Sequence, residues 1–534
     1  MLPNYFFWRW PCAVLLGFIV PHALAITVTL LSIQYAGGVQ FPRWMELLGW
    51  SELLWWAYDL ADRRWLRRFF ADRQGIGRAP DGQRLPLLRA ILSADEDVWD
   101  KVFRGYFTRE GEATRGMDDK RLNLRPEDVG RDNMRDWPKH YLFGMSLSEP
   151  VEDEGVRREL DYMVDCVEAA IAPRKLAQGR TQVKMLAIWD RELELQHMPF
   201  TFMIILFLLN KYGNLALFLG GFRHYGHKEP VLAPFVRGAD APQMLEKATP
   251  DEFKLLRNKG AYWYCANNAP ADAHPIVFFH GISGLFGPAL MLCIMARICK
   301  RPILVVEMPF VMLRSAPVST LIERDETIKI VRYALRARGH DRCVMIGHSL
   351  GSVCAGWMLH SAPELVAKTL LLEVATLKFH NPAATINFYR SDARTAAERF
   401  FLGFTREKGI SAFMSRCVAL HESLILGERD VVKRDFPEPP SGLPDLSAKP
   451  VEPPRVRSEH TLVINGAADC IVPVDDVAAY CKFQGIRCIL MPYFEHARIL
   501  VSPSWMTRLA HETERLGREA DELRRAGTKW SAVV

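Results

Sequence analysis

Neither a disulfide framework nor a zinc site can be built from this chain's cysteines. Its 534 residues hold no Cys-x-x-Cys pair and no cysteine–histidine spacing suited to zinc. The cysteines number 11, an odd count, and Cys293, Cys299, Cys343, Cys354 and Cys488 sit in apolar runs. A free thiol there acts as a small hydrophobe, so a reduced chain without metal or organic cofactor is expected. Excess charge is scarce too: 68 Lys+Arg against 62 Asp+Glu leave +6. That balance, without a basic stripe, excludes a dedicated nucleic-acid binder. There is no internal repeat. With 49% hydrophobic and 24% charged residues, the chain is neither disordered nor fibrous, and its length suits two or three domains.

The N-terminus is apolar. Trp10 to Ile33 is 24 residues long, with no acid and His22 as its only basic side chain. At about 1.5 Å per residue this run crosses a hydrocarbon core of about 30 Å, with a kink expected at Pro21. Ala23-Leu24-Ala25 fits a signal-cleavage site, but the apolar run continues through Leu31, which favours a retained single-pass anchor. Arg9 precedes the run, while Arg43 and the cluster Arg63, Arg64, Arg67, Arg68 follow it. That asymmetry and the free thiols point the bulk of the chain to the cytoplasm. Trp44, Trp50, Trp55, Trp56 and Trp65 lie among those arginines, a composition suited to the lipid headgroup layer. A second apolar block, Met198 to Leu209, is too short to span and is interrupted by Asn210-Lys211. It is expected as a re-entrant segment or a patch resting on lipid.

Residues 88–195 read as helical; in Val156 to Ile171, Leu160, Val164 and Val167 recur on one face. From about residue 261 the pattern changes to short apolar strands alternating with amphipathic helices. Strands are expected near 275–279, 302–306, 342–346, 369–372, 461–465 and 489–490, with helices near 287–299, 319–337, 350–361 and 504–525. Such alternation implies a parallel sheet covered on both faces. Residues 376–457 break the rhythm with helical material and a linker that has seven prolines between Pro437 and Pro454. This insertion is expected to form a lid.

Gly347-His348-Ser349-Leu350-Gly351 is a G-x-S-x-G pattern between a strand and a helix. A serine raised on so tight a turn needs strained backbone angles and neighbours without Cβ atoms. Chance would supply only about 0.1 such matches in a chain of this composition. An alcohol is a poor nucleophile without a base, and the base needs a carboxylate to orient it. His496 and Asp469 lie in loops after later strands, in the order this architecture uses, with Glu373 as the reserve acid. Backbone donors for an oxyanion are expected at Leu350 and at Ile282, in the loop containing His280 and Gly281. His280 itself is expected to brace that loop.

The His280-Gly281 turn, the elbow around Ser349, the loop from Asp469 to Pro473 and His496 together resemble the serine α/β-hydrolase superfamily, and within it the esterase and monoacylglycerol-lipase-like members. The resemblance covers about 261–375 and 456–510. It implies an α/β fold with a mostly parallel eight-stranded sheet, and hydrolysis of ester or related acyl bonds through an acyl-enzyme. The helical N-terminal half is similar to membrane-attached fungal and protist members. Two departures are Ser352, where monoacylglycerol lipases carry a second glycine, and Ala497 after the histidine. The expected division is an anchor at 1–40, a membrane-associated helical region at 41–260, a first core part at 261–375, the lid and linker at 376–457, and the rest of the core at 458–534. The partners are then the bilayer and a lipid or other acyl-ester substrate. A serine at 349 disfavours the carboxylate-nucleophile branches, and no histidine is followed five positions later by aspartate, the acyltransferase signature. Acyl transfer or thioester cleavage by the same three residues, and a non-catalytic scaffold, stay open as alternatives.

Overall fold

The computed structural model describes residues 20–36, 42–71, 78–94, 97–109, 124–187, 193, 195–226, 237–313, 321–389, 403–429, 434–441, 443 and 455–527. One sheet has eight strands: β1 (Arg223–Gly226), β2 (Ala261–Cys265), β3 (Ile276–Phe279), β4 (Ile303–Glu307), β5 (Cys343–His348), β6 (Val366–Leu372), β7 (Thr461–Gly466) and β8 (Arg487–Met491). Their spatial order is β1-β2-β4-β3-β5-β6-β7-β8. The β1–β2 and β2–β4 pairs are antiparallel; every other pair is parallel. This is the mostly parallel sheet the resemblance implies.

The helices used below are α1 (Val20–Tyr35), α2 (Arg43–Ala71), α3 (Glu154–Ile171), α4 (Phe200–Leu219), α5 (Ala289–Ile298), α6 (Arg324–Ala337), α7 (Gly351–Ser361), α8 (Val474–Gln484) and α9 (Pro503–Arg525). Strand side chains alternate between faces, and the core divides accordingly. Val277, Phe279, Leu304, Val306 and Met345 pack with α6 and α7. Ile276, Phe278, Ile303, Val305 and Ile346 pack with α5 and α9 on the other side. Burial on both faces is why these strands are continuous apolar runs.

The sheet begins earlier than the boundary at 260. β1 comes from within the region expected to be purely helical and pairs with β2 through His224 and Trp263. Its four residues are too few, and too polar, to register as a buried strand in the sequence. A small antiparallel pair, Phe107–Arg109 with Val183–Met185, also interrupts the helical stretch. α3 forms as its periodicity requires, with Leu160, Val164 and Val167 buried.

The second apolar block differs from its reading. α4 is one continuous helix of 20 residues with mean hydropathy 1.7, long and apolar enough by length and composition to cross a membrane. Asn210 does not interrupt it, because its side chain turns inward: Nδ2 donates to the Leu206 carbonyl at 2.8 Å and to the Met312 carbonyl at 3.0 Å. Phe202, Leu206, Asn210, Gly213, Asn214 and Leu217 form the buried stripe. Ile204, Ile205, Phe207, Leu208, Tyr212, Leu215 and Leu219 are exposed.

Of the Trp10–Ile33 run, the first ten residues lie outside the described residues. The described part, α1, has 16 residues, shorter than a span. α1 packs on α2: the Tyr35 hydroxyl donates to Glu46 at 2.8 Å, and Leu31 rests over Gly49. The arginine cluster on α2 divides. Arg63 pairs with Asp59 at 2.9 Å, and Arg67 donates to the Leu193 carbonyl at 3.4 Å, so these two hold protein. Arg64 and Arg68 are exposed, as are Trp44, Trp50 and Trp65. Trp55 instead donates to the Met198 carbonyl at 2.7 Å. The described part of the insertion docks on the same region, with Lys408 facing Asp59 and Asp62 and the Phe404 ring 6.2 Å from that of Phe202. Residues 444–454 of the proline-rich linker lie outside the described residues.

Candidate active site

The residues singled out lie at or beyond the carboxyl ends of sheet strands, where open α/β sheets hold their ligands. β5 ends at His348, and Ser349 follows with φ of +53°, a left-handed conformation that costs a non-glycine residue free energy. The turn is held in that state by its neighbours. The Ser349 amide donates to the Leu372 carbonyl at 2.9 Å. A Cβ on Gly351 would run into the Phe279 carbonyl, and one on Gly347 would come within 2.9 Å of the Ala355 Cβ. Both glycines are therefore required by close approach.

Ser352, one of the two departures from the family pattern, contributes a tie of its own. Its hydroxyl donates to the Ser349 carbonyl at 2.6 Å and accepts from the Ala375 amide at 3.2 Å. Sequence reasoning had no signal for that role, since a serine one turn into a helix looks ordinary.

Ser349, His496 and Asp469 are brought into a continuous chain. Ser349 Oγ and His496 Nε2 are 2.7 Å apart; His496 Nδ1 and Asp469 Oδ2 are 2.6 Å apart. The other carboxylate oxygen accepts from the Ile471 and Val472 amides at 2.8 and 2.9 Å. Those amides leave one face of Asp469 for the imidazole, so in the neutral ring the proton sits on Nδ1 and Nε2 is the acceptor facing the serine. The loops carrying acid and base are sewn together, Ala467 N to the Met491 carbonyl at 2.9 Å and Ala468 N to that of Phe494 at 2.8 Å.

Burial works against a charged imidazole at His496, but the adjoining Asp469 carboxylate, with a smaller contribution from Glu373, outweighs it and raises the group to about 9. The protonated form is therefore favoured beside these two anions, as a base that must carry a proton briefly requires.

Glu373, the reserve acid, does not touch the imidazole. Its Oε2 accepts from His348 Nε2 at 3.0 Å and from the Ala497 amide at 2.8 Å. His280 braces its loop: Nε2 accepts from the Met308 amide at 3.0 Å, and Nδ1 therefore donates to the Gly281 carbonyl at 2.9 Å. A Cβ on Gly281 would come within 3.0 Å of the Ser349 Cβ, so the loop leading to Ile282 passes against the elbow. Among the described residues neither the Ile282 nor the Leu350 amide has an acceptor, and Leu350 opens α7, whose dipole points the same way. This set can deprotonate a hydroxyl.

No family model and no curated protein matches the chain. Solved structures do. A carboxylesterase of the ammonia-oxidizing thaumarchaeon Nitrososphaera gargenis is 13% identical, with 51% of this chain and 98% of that one covered at a TM-score of 0.32. An esterase of Mycobacterium marinum is 14% identical, covering 60% of this chain and 90% of its own at 0.37. A bacterial membrane phospholipase A is 12% identical, covering 60% and 93% at 0.34. The eight-stranded, mostly parallel sheet with a strained serine between its fifth strand and the next helix is the arrangement of an α/β-hydrolase.

Proposed function

We propose that this chain is a membrane-attached serine hydrolase that cleaves carboxylic esters, with lipid acyl esters as its substrates. The observation that carries the reading is the unbroken contact from Ser349 Oγ through His496 to Asp469, at 2.7 and 2.6 Å. In this reading Ser349 Oγ bonds to the ester carbonyl carbon while its proton passes to His496 Nε2. The negative charge on the former carbonyl oxygen is met by the Leu350 and Ile282 amides, an effect worth about 10²- to 10³-fold per donor in rate. The ester C–O bond then breaks, and the alcohol leaves with the proton from His496. Water attacks the acyl-enzyme, gives its proton to His496, and releases the acid as the proton returns to Ser349. Asp469 stays ionised and steadies the imidazolium.

Membrane attachment rests on the apolar surface that α4, α1 and α2 leave uncovered. Phe207, Leu208 and Leu219 on α4, with Trp44, Leu47 and Leu54 on α2, are all exposed, the kind of apolar surface that seats in a membrane. Residues 10–33 and α4 are the segments proposed to seat in lipid, with the sheet domain on the cytoplasmic side. The insertion at 376–457 is proposed as the cover of the site. A fluorophosphonate probe tests the chemistry. It should label the wild-type chain and leave Ser349→Ala unlabelled; a folded wild-type chain that resists the probe overturns the reading.

A further inference from the structure

Glu373 has chemistry that the serine, histidine and aspartate do not use. It follows β6 directly, is fully buried, and holds φ of +48°. A buried carboxylate in strained backbone is costly unless something requires it there. A single oxygen, Oε2, accepts from His348 Nε2 at 3.0 Å and from the Ala497 amide at 2.8 Å. His348 is the residue before Ser349 and Ala497 the residue after His496, so one atom joins the neighbours of nucleophile and base. Ala497 has φ of +63°, which aims its N–H back at this oxygen. The backbone ties agree: the Ser349 amide donates to the carbonyl of Leu372, and the Glu373 amide to that of Ile464 at 2.7 Å. Among the described residues Oε1 is buried without a hydrogen-bond partner, as is His348 Nδ1. Two unpaired buried polar atoms beside the nucleophile are a cost that packing alone does not explain.

Resting on the serine-hydrolase reading, we propose that Glu373 is a positioning residue: it clamps the Ser349 elbow to the His496 loop and holds a second anion beside the imidazolium formed during turnover. Among the described residues the titratable groups facing His496 include Asp469 on the loop after β7, Glu373 just past β6 and, across Glu373, His348 on the elbow. Two carboxylates thus share the imidazolium, one in contact through Nδ1 and one acting through space.

The test is Glu373→Gln in the full chain, which keeps an acceptor and removes the charge. Loss of the anion destabilises the imidazolium, so the acid limb of kcat/KM against pH should move to lower pH by at least half a unit. kcat should fall about tenfold with KM changed less than twofold, while fluorophosphonate labelling persists. Glu373→Asp keeps the charge but shortens the reach. Its acid limb should stay within a few tenths of wild type while labelling slows several-fold, which gives a reading even if the glutamine variant fails to fold. A Gln variant with an unmoved limb, or an Asp variant labelled at the wild-type rate, overturns the proposal for Glu373 alone. Failure of the wild-type chain to label overturns both this proposal and the reading beneath it.

Discussion

Gly281 stands against Ser349 so closely that a Cβ on the glycine would come within 3.0 Å of the serine Cβ. The loop with the Ile282 amide can therefore approach the nucleophile only because position 281 has no side chain. Gly281→Ala should push that amide away from the developing oxyanion and lower kcat/KM about 10²-fold, the cost of one misplaced donor. Thermal unfolding should change little, since beyond Ser349 the added methyl meets the His348 carbonyl and Nδ1 only at 3.4 and 3.5 Å, ordinary contact distances. An alanine variant with wild-type turnover would remove Ile282 from its proposed role.

The second prediction concerns pH. A base must be neutral to accept a proton, so kcat/KM should rise with pH through about 9, the value to which Asp469 and Glu373 bring His496 despite its burial. Asp469→Asn removes the larger raising influence. The acid limb should then fall by more than one unit and kcat by about 10³-fold or more. Stability follows the same linkage. A histidine whose folded value exceeds the unfolded 6.5 or so contributes stability below that pH and loses it as pH rises through about 9. The Tm advantage of wild type over Asp469→Asn should shrink across that interval.

Much of this site was legible in the string, for reasons visible in the structure. Strands β3 to β7 are buried on both faces, so their apolar runs have few other uses, and the elbow glycines are dictated by contacts from Phe279 and Ala355. What escaped was whatever depends on long-range neighbours. β1 was missed because four residues in Arg-His-Tyr-Gly carry no apolar pattern. Asn210-Lys211 read as a break in the helix because only the Met312 carbonyl, 102 residues away, shows why an amide is welcome there. Arg63 and Arg67 looked like lipid-facing cations until Asp59 and the Leu193 carbonyl supplied protein partners. Glu373 could be noticed as an acid at a strand end, but its use by His348 and Ala497 could not.

The exposed face of α4 offers a third test. Phe207 is 49% and Leu208 58% exposed, so charge there costs the fold little in water. The double variant Phe207→Glu, Leu208→Glu should lose flotation with phosphatidylcholine–phosphatidylserine vesicles by at least tenfold. It should still hydrolyse a water-soluble ester within about twofold of wild type. Unchanged flotation would dismiss this face as a lipid seat.

The buried face of the same helix predicts the converse. A Cβ on Gly213 would come within 2.7 Å of the Phe286 Cα and 2.9 Å of its amide nitrogen. Backbone cannot swing aside as a side chain can, so Gly213→Ala should cost about 1–3 kcal/mol in stability. Phe286 lies in the turn over 282–288 that Ile282 opens, and the strain should reach the Ile282 amide. Soluble-ester turnover should fall several-fold while vesicle flotation persists, the reverse of the preceding variant. Loss of flotation without loss of turnover would show that α4 and the oxyanion loop are not coupled.

Acyl-chain preference is the sharpest discriminator of substrate class. If the cover formed by 376–457 and the N-terminal helices encloses an apolar tunnel, each methylene of substrate buried adds about 0.8 kcal/mol of binding. Where that binding is kept in the transition state, it appears as about fourfold in kcat/KM per methylene until the tunnel is full. A series of esters with one alcohol and lengthening acyl chains should therefore climb steeply and then level off. The plateau length reports the depth of the tunnel, and residues whose substitution by tryptophan shortens it line the tunnel. A purified chain active only on acetyl esters or peptides would contradict lipid acyl esters as its substrates while leaving the chemistry at Ser349 intact.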